Sequence, residues 1–250
     1  MKIEKSVAKA LTEMQAGDLE SAMLHACNAV DGTARKAYGY SVGNKARFTA
    51  LLREHHQILG VMAIPGLDLL TQRFPGLLPT GPNEVDSPDF ADLIYSIHRC
   101  AHGHGDEVPF GFELRPASPI PGYPTALRLR ARSVALPESV IPGLVAVAVM
   151  APENAGLRLD HDGPWLSFRE TRLPVNEWWG RASDFPAVVG DFDPAPISIK
   201  FGEDESGEPT ATLTIGDGTP AAVDSPWEPG ARGAWIRVQP GSGSQGSDSD

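Results

Sequence analysis

The sequence predicts an α+β fold that is mainly α: an antiparallel helical bundle over residues 1–107, a proline-rich mixed α/β extension packed on it over 108–238, and a disordered tail over 239–250. Three observations predict it. Apolar residues recur at three- and four-residue steps through most of the first hundred positions, as in helices that bury one face. Beyond Gly105, Pro109, Pro116, Pro119, Pro121 and Pro124 forbid a long helix. Short segments with period-two alternation then follow, as in strands.

The first helix runs from about Ile3 to Met14, with Ile3, Val7, Ala10, Leu11 and Met14 on one face, and Gly17 stops it. Asp18 caps a second helix in which Leu19, Ala22, Met23, Ala26, Ala29, Val30, Thr33, Ala34 and Ala37 hold helical spacing. Its many alanines allow a neighbour to approach closely. A third helix starts at Ser41 or Asn44 and carries Phe48, Leu51, Leu52, His55, Ile58 and Leu59. Leu67 to Phe74 allows two more turns, and Pro75 to Asp86 is a connection.

The fourth helix concentrates the chemistry. Ser87 suits its N-cap and Pro88 its first position, while Phe90, Leu93, Ile94 and Ile97 draw an apolar stripe towards Cys100 or Ala101. Asp92, Tyr95, Arg99 and His102 follow on another face, and Gly103 and Gly105 end the helix with His104 in the turn. A guanidinium and two imidazoles thereby come within reach of one pocket.

Further along, Thr125 to Arg132 alternates strictly and puts Arg128, Arg130 and Arg132 on one strand face, suited equally to a phosphate backbone or to the acidic remainder of the chain. Leu136 to Met150 fits a buried strand or a buried helix, and Pro142-Gly143 in a first turn favours a helix packed on the bundle. Trp165 to Phe168, Ile197 to Phe201 and Ala211 to Ile215 read as short strands, the last two as a hairpin. Trp178 and Trp179 read as a staple between extension and bundle.

The formal charge is −11. It is uneven: ten Lys and Arg stand against eleven Asp and Glu up to Gly105, and eleven against twenty-one beyond it. A general nucleic-acid coat protein needs the opposite sign, so nucleic-acid chemistry here requires a local basic pocket. With two cysteines, no apolar run long enough for a bilayer and a charged N-terminal helix in place of a secretory leader, the expected location is a reducing cytoplasm, away from membranes. No nucleotide-triphosphate loop, dinucleotide fingerprint or nucleophile elbow occurs, and no cofactor is expected.

Arg99 and His104 form an Arg-x4-His motif closing a late bundle helix. With the Leu24–Tyr38 helix and the stretch Lys45–Leu52, this arrangement over the first 107 or so residues resembles the HEPN superfamily of helical nucleotide-binding and ribonuclease domains. The resemblance implies metal-independent RNA cleavage by a homodimer, in a bacterial defence, toxin or stress system with an antitoxin or similar partner protein. Carried onto this chain, Arg99 would hold the scissile phosphate and His104 would move the proton, with His102, His98, Tyr95, Asp92 and His55 as supporting groups and Arg128, Arg130 and Arg132 as further phosphate ligands. Guanidinium geometry and imidazole titration suit those roles. Cys100 follows the arginine where active relatives often carry a polar residue.

Two other readings stay open. One is a non-catalytic module that binds a nucleotide or a protein, with Arg99 as a phosphate clamp or simply paired with Asp92 or Asp106. The other is a zinc-stabilised structural protein using His98, Cys100, His102, His25 and Cys27, although alternate residues on a helix diverge too far to converge on one ion. Of His55 and His56, one is expected inside the bundle and one outside.

Overall fold

Helix α1 (Ile3–Ala16) and helix α2 (Leu19–Tyr38) form where the periodicity places them. Gly17 closes α1 in the left-handed conformation, and the Asp18 carboxylate accepts the Ser21 N–H at 3.0 Å to open α2. The structure, a computed structural model, describes residues 2–78, 87–99, 112–115, 128–130, 133–203, 209–216 and 219–220. The tail expected to be disordered lies outside them. Small residues on α2 let α1 come close: a Cβ on Gly32 would stand 2.9 Å from Ile3 Cγ1.

The third predicted helix is two. Helix α3 (Asn44–Glu54) ends at His55, and α4 (His56–Ala63) starts beside it, with His55 capping both. The apolar pattern continues across the joint, so periodicity alone could not reveal it. Leu67 to Phe74 is not helical. Asp68 organises a turn instead, its carboxylate accepting the N–H groups of Leu70 at 2.9 Å and Thr71 at 3.3 Å and the Thr71 hydroxyl at 2.6 Å.

Helix α5 (Phe90–Ile94) starts two residues later than expected. Asp89, not Ser87, is the cap, because its carboxylate accepts the Asp92 N–H while the Asp92 carboxylate reaches back to the Asp89 N–H, a reciprocal capping box. Past Ile94 the backbone widens into a π-helical turn over Tyr95–Arg99, where a continuous α-helix was expected.

Strands β1 (Phe112–Arg115), β2 (Arg128–Arg130) and β3 (Ser133–Pro137) form one sheet in the order β1-β3-β2, with β1 parallel and β2 antiparallel to β3. The ambiguous stretch from Leu136 thus ends a strand before becoming helix α6 (Val140–Met150). Apolar all round, α6 is buried along its length among α1, α2 and α4. Its approach to α4 is close, since a Cβ on Gly143 would lie 3.0 Å from that of Ala63, and the Ser139 hydroxyl bonds the Ala63 carbonyl at 2.6 Å.

Strands β4 (Trp165–Phe168) and β5 (Thr171–Pro174) make a hairpin, followed by the short helices α7 (Val175–Trp178) and α8 (Phe185–Val189). Trp178 and Trp179 are buried in the shared core, and the Gly180 N–H bonds the Val149 carbonyl of α6 at 2.9 Å. Strands β6 (Ile197–Glu203), β7 (Pro209–Ile215) and β8 (Thr219–Pro220) form an antiparallel sheet in that order. The fold class is therefore α+β, mainly α, as the sequence predicts.

The segment after α4 is fastened to β6. Leu67 bridges Ile197, the Ile197 N–H bonds the Gly66 carbonyl at 2.7 Å, and the Gln72 side-chain amide pairs with both backbone groups of Ile199 at 2.9 Å each. Residues 66–72 thus form a ledge fastened by backbone and side-chain hydrogen bonds to the C-terminal sheet. No helix among the described residues is long and apolar enough to cross a membrane.

Candidate functional site

The residues singled out by sequence divide three ways. Cys100, His102, His104 and Arg132 lie outside the described residues; at His98, Arg99, Arg128 and Arg130 the backbone is described and the side chains are not. The π-turn ends at Arg99, and Arg128 and Arg130 lie on β2. Cys27 is buried in the core, and His25 is half-buried, with burial and then Lys9 lowering its imidazole pKa against the pull of Glu13. Among the described residues, no three His, Cys, Asp or Glu gather in a way that could hold a metal ion.

Asp92 is buried, and Tyr95 packs edge-on against Phe48 with ring centres 5.4 Å apart. Asp92 is paired with Arg53 of α3. That guanidinium grips Asp89 through Nε at 2.7 Å and Nη2 at 3.1 Å, and reaches Asp92 at 2.9 Å. Capping box and ion pair thus tie the start of α5 to α3.

The two carboxyls respond in opposite directions. Burial alone would raise Asp89, but Arg53 and the Asp92 N–H, both bonded to its charged form, bring it below the ordinary range. Asp92 is raised, by burial first and by the Asp89 charge second, against the attraction of Arg53. The contribution of Asp89 to stability is therefore present above the unfolded carboxylate value and lost as pH falls through its depressed folded value. That of Asp92 is present below the unfolded value and lost as pH rises through its raised one.

At pH 7, Asp89→Asn is expected to cost about 1–3 kcal/mol, discounted because the Arg53 side chain stays 39% exposed. Asp92→Asn should leave stability equal or improved. Urea denaturation at pH 7 and pH 4 checks both, and a larger loss in Asp92→Asn than in Asp89→Asn would contradict the assignment.

His55 and His56 separate as expected. His55 is inside, 8% exposed, its Nε2 buried without a hydrogen-bond partner, and burial lowers its pKa against the pull of Glu54 and Glu153. Beside it the Tyr38 hydroxyl donates to the Glu54 carboxylate, and burial together with that carboxylate pushes the phenol well up. His56 faces the other way, onto a cleft.

This cleft, of about 410 Å³, lies between α4, the 66–69 ledge and α8. Gly60, Val61, Leu67, Leu69, Phe185, Pro186 and Val189 give it apolar walls, with His56, Gln57 and Asp68 at its polar side. Sequence reasoning identified the histidine pair but not Asp68 or α8. The available signal at Asp68 was the spacing Asp68-Leu69-Leu70-Thr71, which marks a side-chain-capped turn. Nothing local announces α8, about 120 residues away, as the facing wall.

Fold and cleft define a mainly helical α+β protein with an all-apolar helix in its core and an open, largely apolar cavity with a polar side between α4, the 66–69 ledge and α8. The chain belongs to the Rv1289 family, whose sequence profile matches residues 2–203, from the start of the helical core to the end of β6. It is 40% identical over 202 residues to the uncharacterized protein Rv1289 of Mycobacterium tuberculosis (strain ATCC 25618 / H37Rv), a match covering 80% of this chain and 94% of the relative. The uncharacterized protein Mb1320 of Mycobacterium bovis matches at the same identity and coverage. No solved structure matches the chain.

Proposed function

We propose that this protein is a non-catalytic binding module that seats a small, largely apolar molecule in the cleft between α4, the 66–69 ledge and α8. The cleft itself carries the reading: its volume falls in the range of small-ligand sites, and its apolar walls with a few polar groups to one side are the usual make-up of such sites. Supporting it, several ionisable groups that could have served chemistry are tied to one another: Arg47 to Asp31, Arg53 to Asp89 and Asp92, Tyr38 to Glu54. A chain with only two cysteines, one of them buried in the core, suits a reducing cytoplasm as the setting.

Nile red, a neutral apolar dye, should bind with a fluorescence rise, and Val61→Trp, which fills the cleft, should weaken it at least tenfold without lowering the melting temperature. Undiminished dye affinity in Val61→Trp would refute the placement.

A second reading keeps the HEPN-like ribonuclease, favoured by the π-helical turn that ends at Arg99, since such turns recur at functional sites. It requires a homodimer. In excess chelator the protein would then cut RNA to 2′,3′-cyclic phosphate ends, and Arg99→Ala or His104→Ala would abolish the cutting. Intact RNA after prolonged incubation retires it.

A further inference from the structure

We infer that the cleft selects ligands carrying a cationic or hydrogen-donating head group on an apolar body, an alkylamine being the simplest, with His56 Nε2 and the Asp68 carboxylate receiving the head. This rests on the cleft reading above and adds the chemical class of its ligand.

The Arg53 carbonyl fixes the tautomer of His56. His56 Nδ1 lies 3.0 Å from the Arg53 carbonyl oxygen, and a carbonyl can only accept. The proton of the neutral ring therefore sits on Nδ1, and Nε2 is left as a lone-pair acceptor with no partner among the described residues. Position and protonation agree, since His56 is the first residue of α4 and lines the cleft.

Asp68 adds a full negative charge. Its Oδ1 accepts two backbone N–H groups, and its Oδ2 accepts the Thr71 hydroxyl, which leaves Oδ2 room for one more donor. The Thr71 hydroxyl and the two N–H groups, opposed by burial and helped by His56, hold this carboxyl below its ordinary range. It stays ionised through neutral pH.

No lysine or arginine lines the cleft among the described residues. The opposing influence is the first turn of α4, whose free N–H groups carry about half a positive elementary charge and would favour an anion. With Asp68 and the first residue of α4 both lining the cleft, a whole negative charge outweighs half a positive one. An anionic head, whether carboxylate or phosphate, therefore meets net repulsion, whereas an ammonium or hydroxyl meets two acceptors.

Octylammonium, octanol and octanoate share one tail and differ in the head, so calorimetric titration of the full chain at pH 8 isolates the head-group preference. Octylammonium should bind at least tenfold more tightly than octanoate, with octanol between. Asp68→Asn, whose amide can still cap the turn, should shrink the ammonium-over-carboxylate ratio at least fivefold, and its melting temperature reports whether the turn survives. Octanoate binding as tightly as octylammonium overturns the head-group inference and leaves the cleft reading standing. If Nile red binds but none of the three does, the head-group inference again falls alone. Failure of all four ligands overturns both.

Discussion

Arg47→Leu should lower the stability of the fold by about 3–5 kcal/mol, the cost of leaving one member of a buried ion pair without the other. Arg47 on α3 and Asp31 on α2 face each other across the bundle at 3.2 Å, with side chains only 7% and 9% exposed. The same guanidinium also donates to the Val42 carbonyl at 3.2 Å, holding the turn between α2 and α3. Leucine fills part of the space but takes the Arg47 cation away from the buried Asp31 carboxylate. Replacing both members, Arg47→Leu with Asp31→Leu, should recover most of the loss, because an apolar pair of similar volume carries no desolvation cost. Urea denaturation of the single and double variants measures this. A single variant within about 1 kcal/mol of the parent would show that solvent already reaches the pair.

Gly66→Ala should cost about 2–4 kcal/mol and weaken Nile red binding at the same time. Gly66 has a φ of +91°, and a Cβ there would stand 2.3 Å from the Ala195 carbonyl oxygen, a backbone atom that cannot swing aside. The residue can adapt only by pushing the 66–69 ledge off β6, which breaks the Ile197–Gly66 hydrogen bond and the Leu67–Ile197 bridge and shifts one wall of the cleft. Gly17→Ala supplies the comparison: its φ is +80°, but nothing lies within 4 Å of the added Cβ. It should pay only the left-handed backbone cost of about 1–2 kcal/mol and leave dye binding intact. Equal effects of the two substitutions on dye affinity would separate the ledge from the cleft.

Much of the helical core was legible. Asp18 and Gly17 mark the ends of α1 and α2 because a capping carboxylate and a left-handed glycine act on their own neighbours. The alternation at Trp165–Phe168 marked a strand for the same local reason. At the fourth helix, Ser87 and Asp89 are both good caps, and what chooses between them is Arg53, 36 residues upstream of Asp89. The joint at His55 was hidden because apolar spacing runs through it unbroken. The candidate site was half visible: the histidine pair stood out, but which ring faced the core, which nitrogen carried the proton and what stood opposite all depended on distant chain.

The amino-acid sequence by itself determined where α1 and α2 lie, that the stretch before Met150 is a buried helix, and that Trp165–Phe168 and the Ile197–Ile215 hairpin are strands, because those preferences act over a few neighbouring residues. Only the tertiary structure decided that α6 lies at the centre of the core, that Arg53 holds both Asp89 and Asp92, and that residues 56–69 and 185–190 line a cleft. The physical reason is range. Hydrogen-bonding and side-chain preferences are settled within a turn or two, whereas a cavity exists only after packing has brought remote segments together and left their facing surfaces incompletely filled.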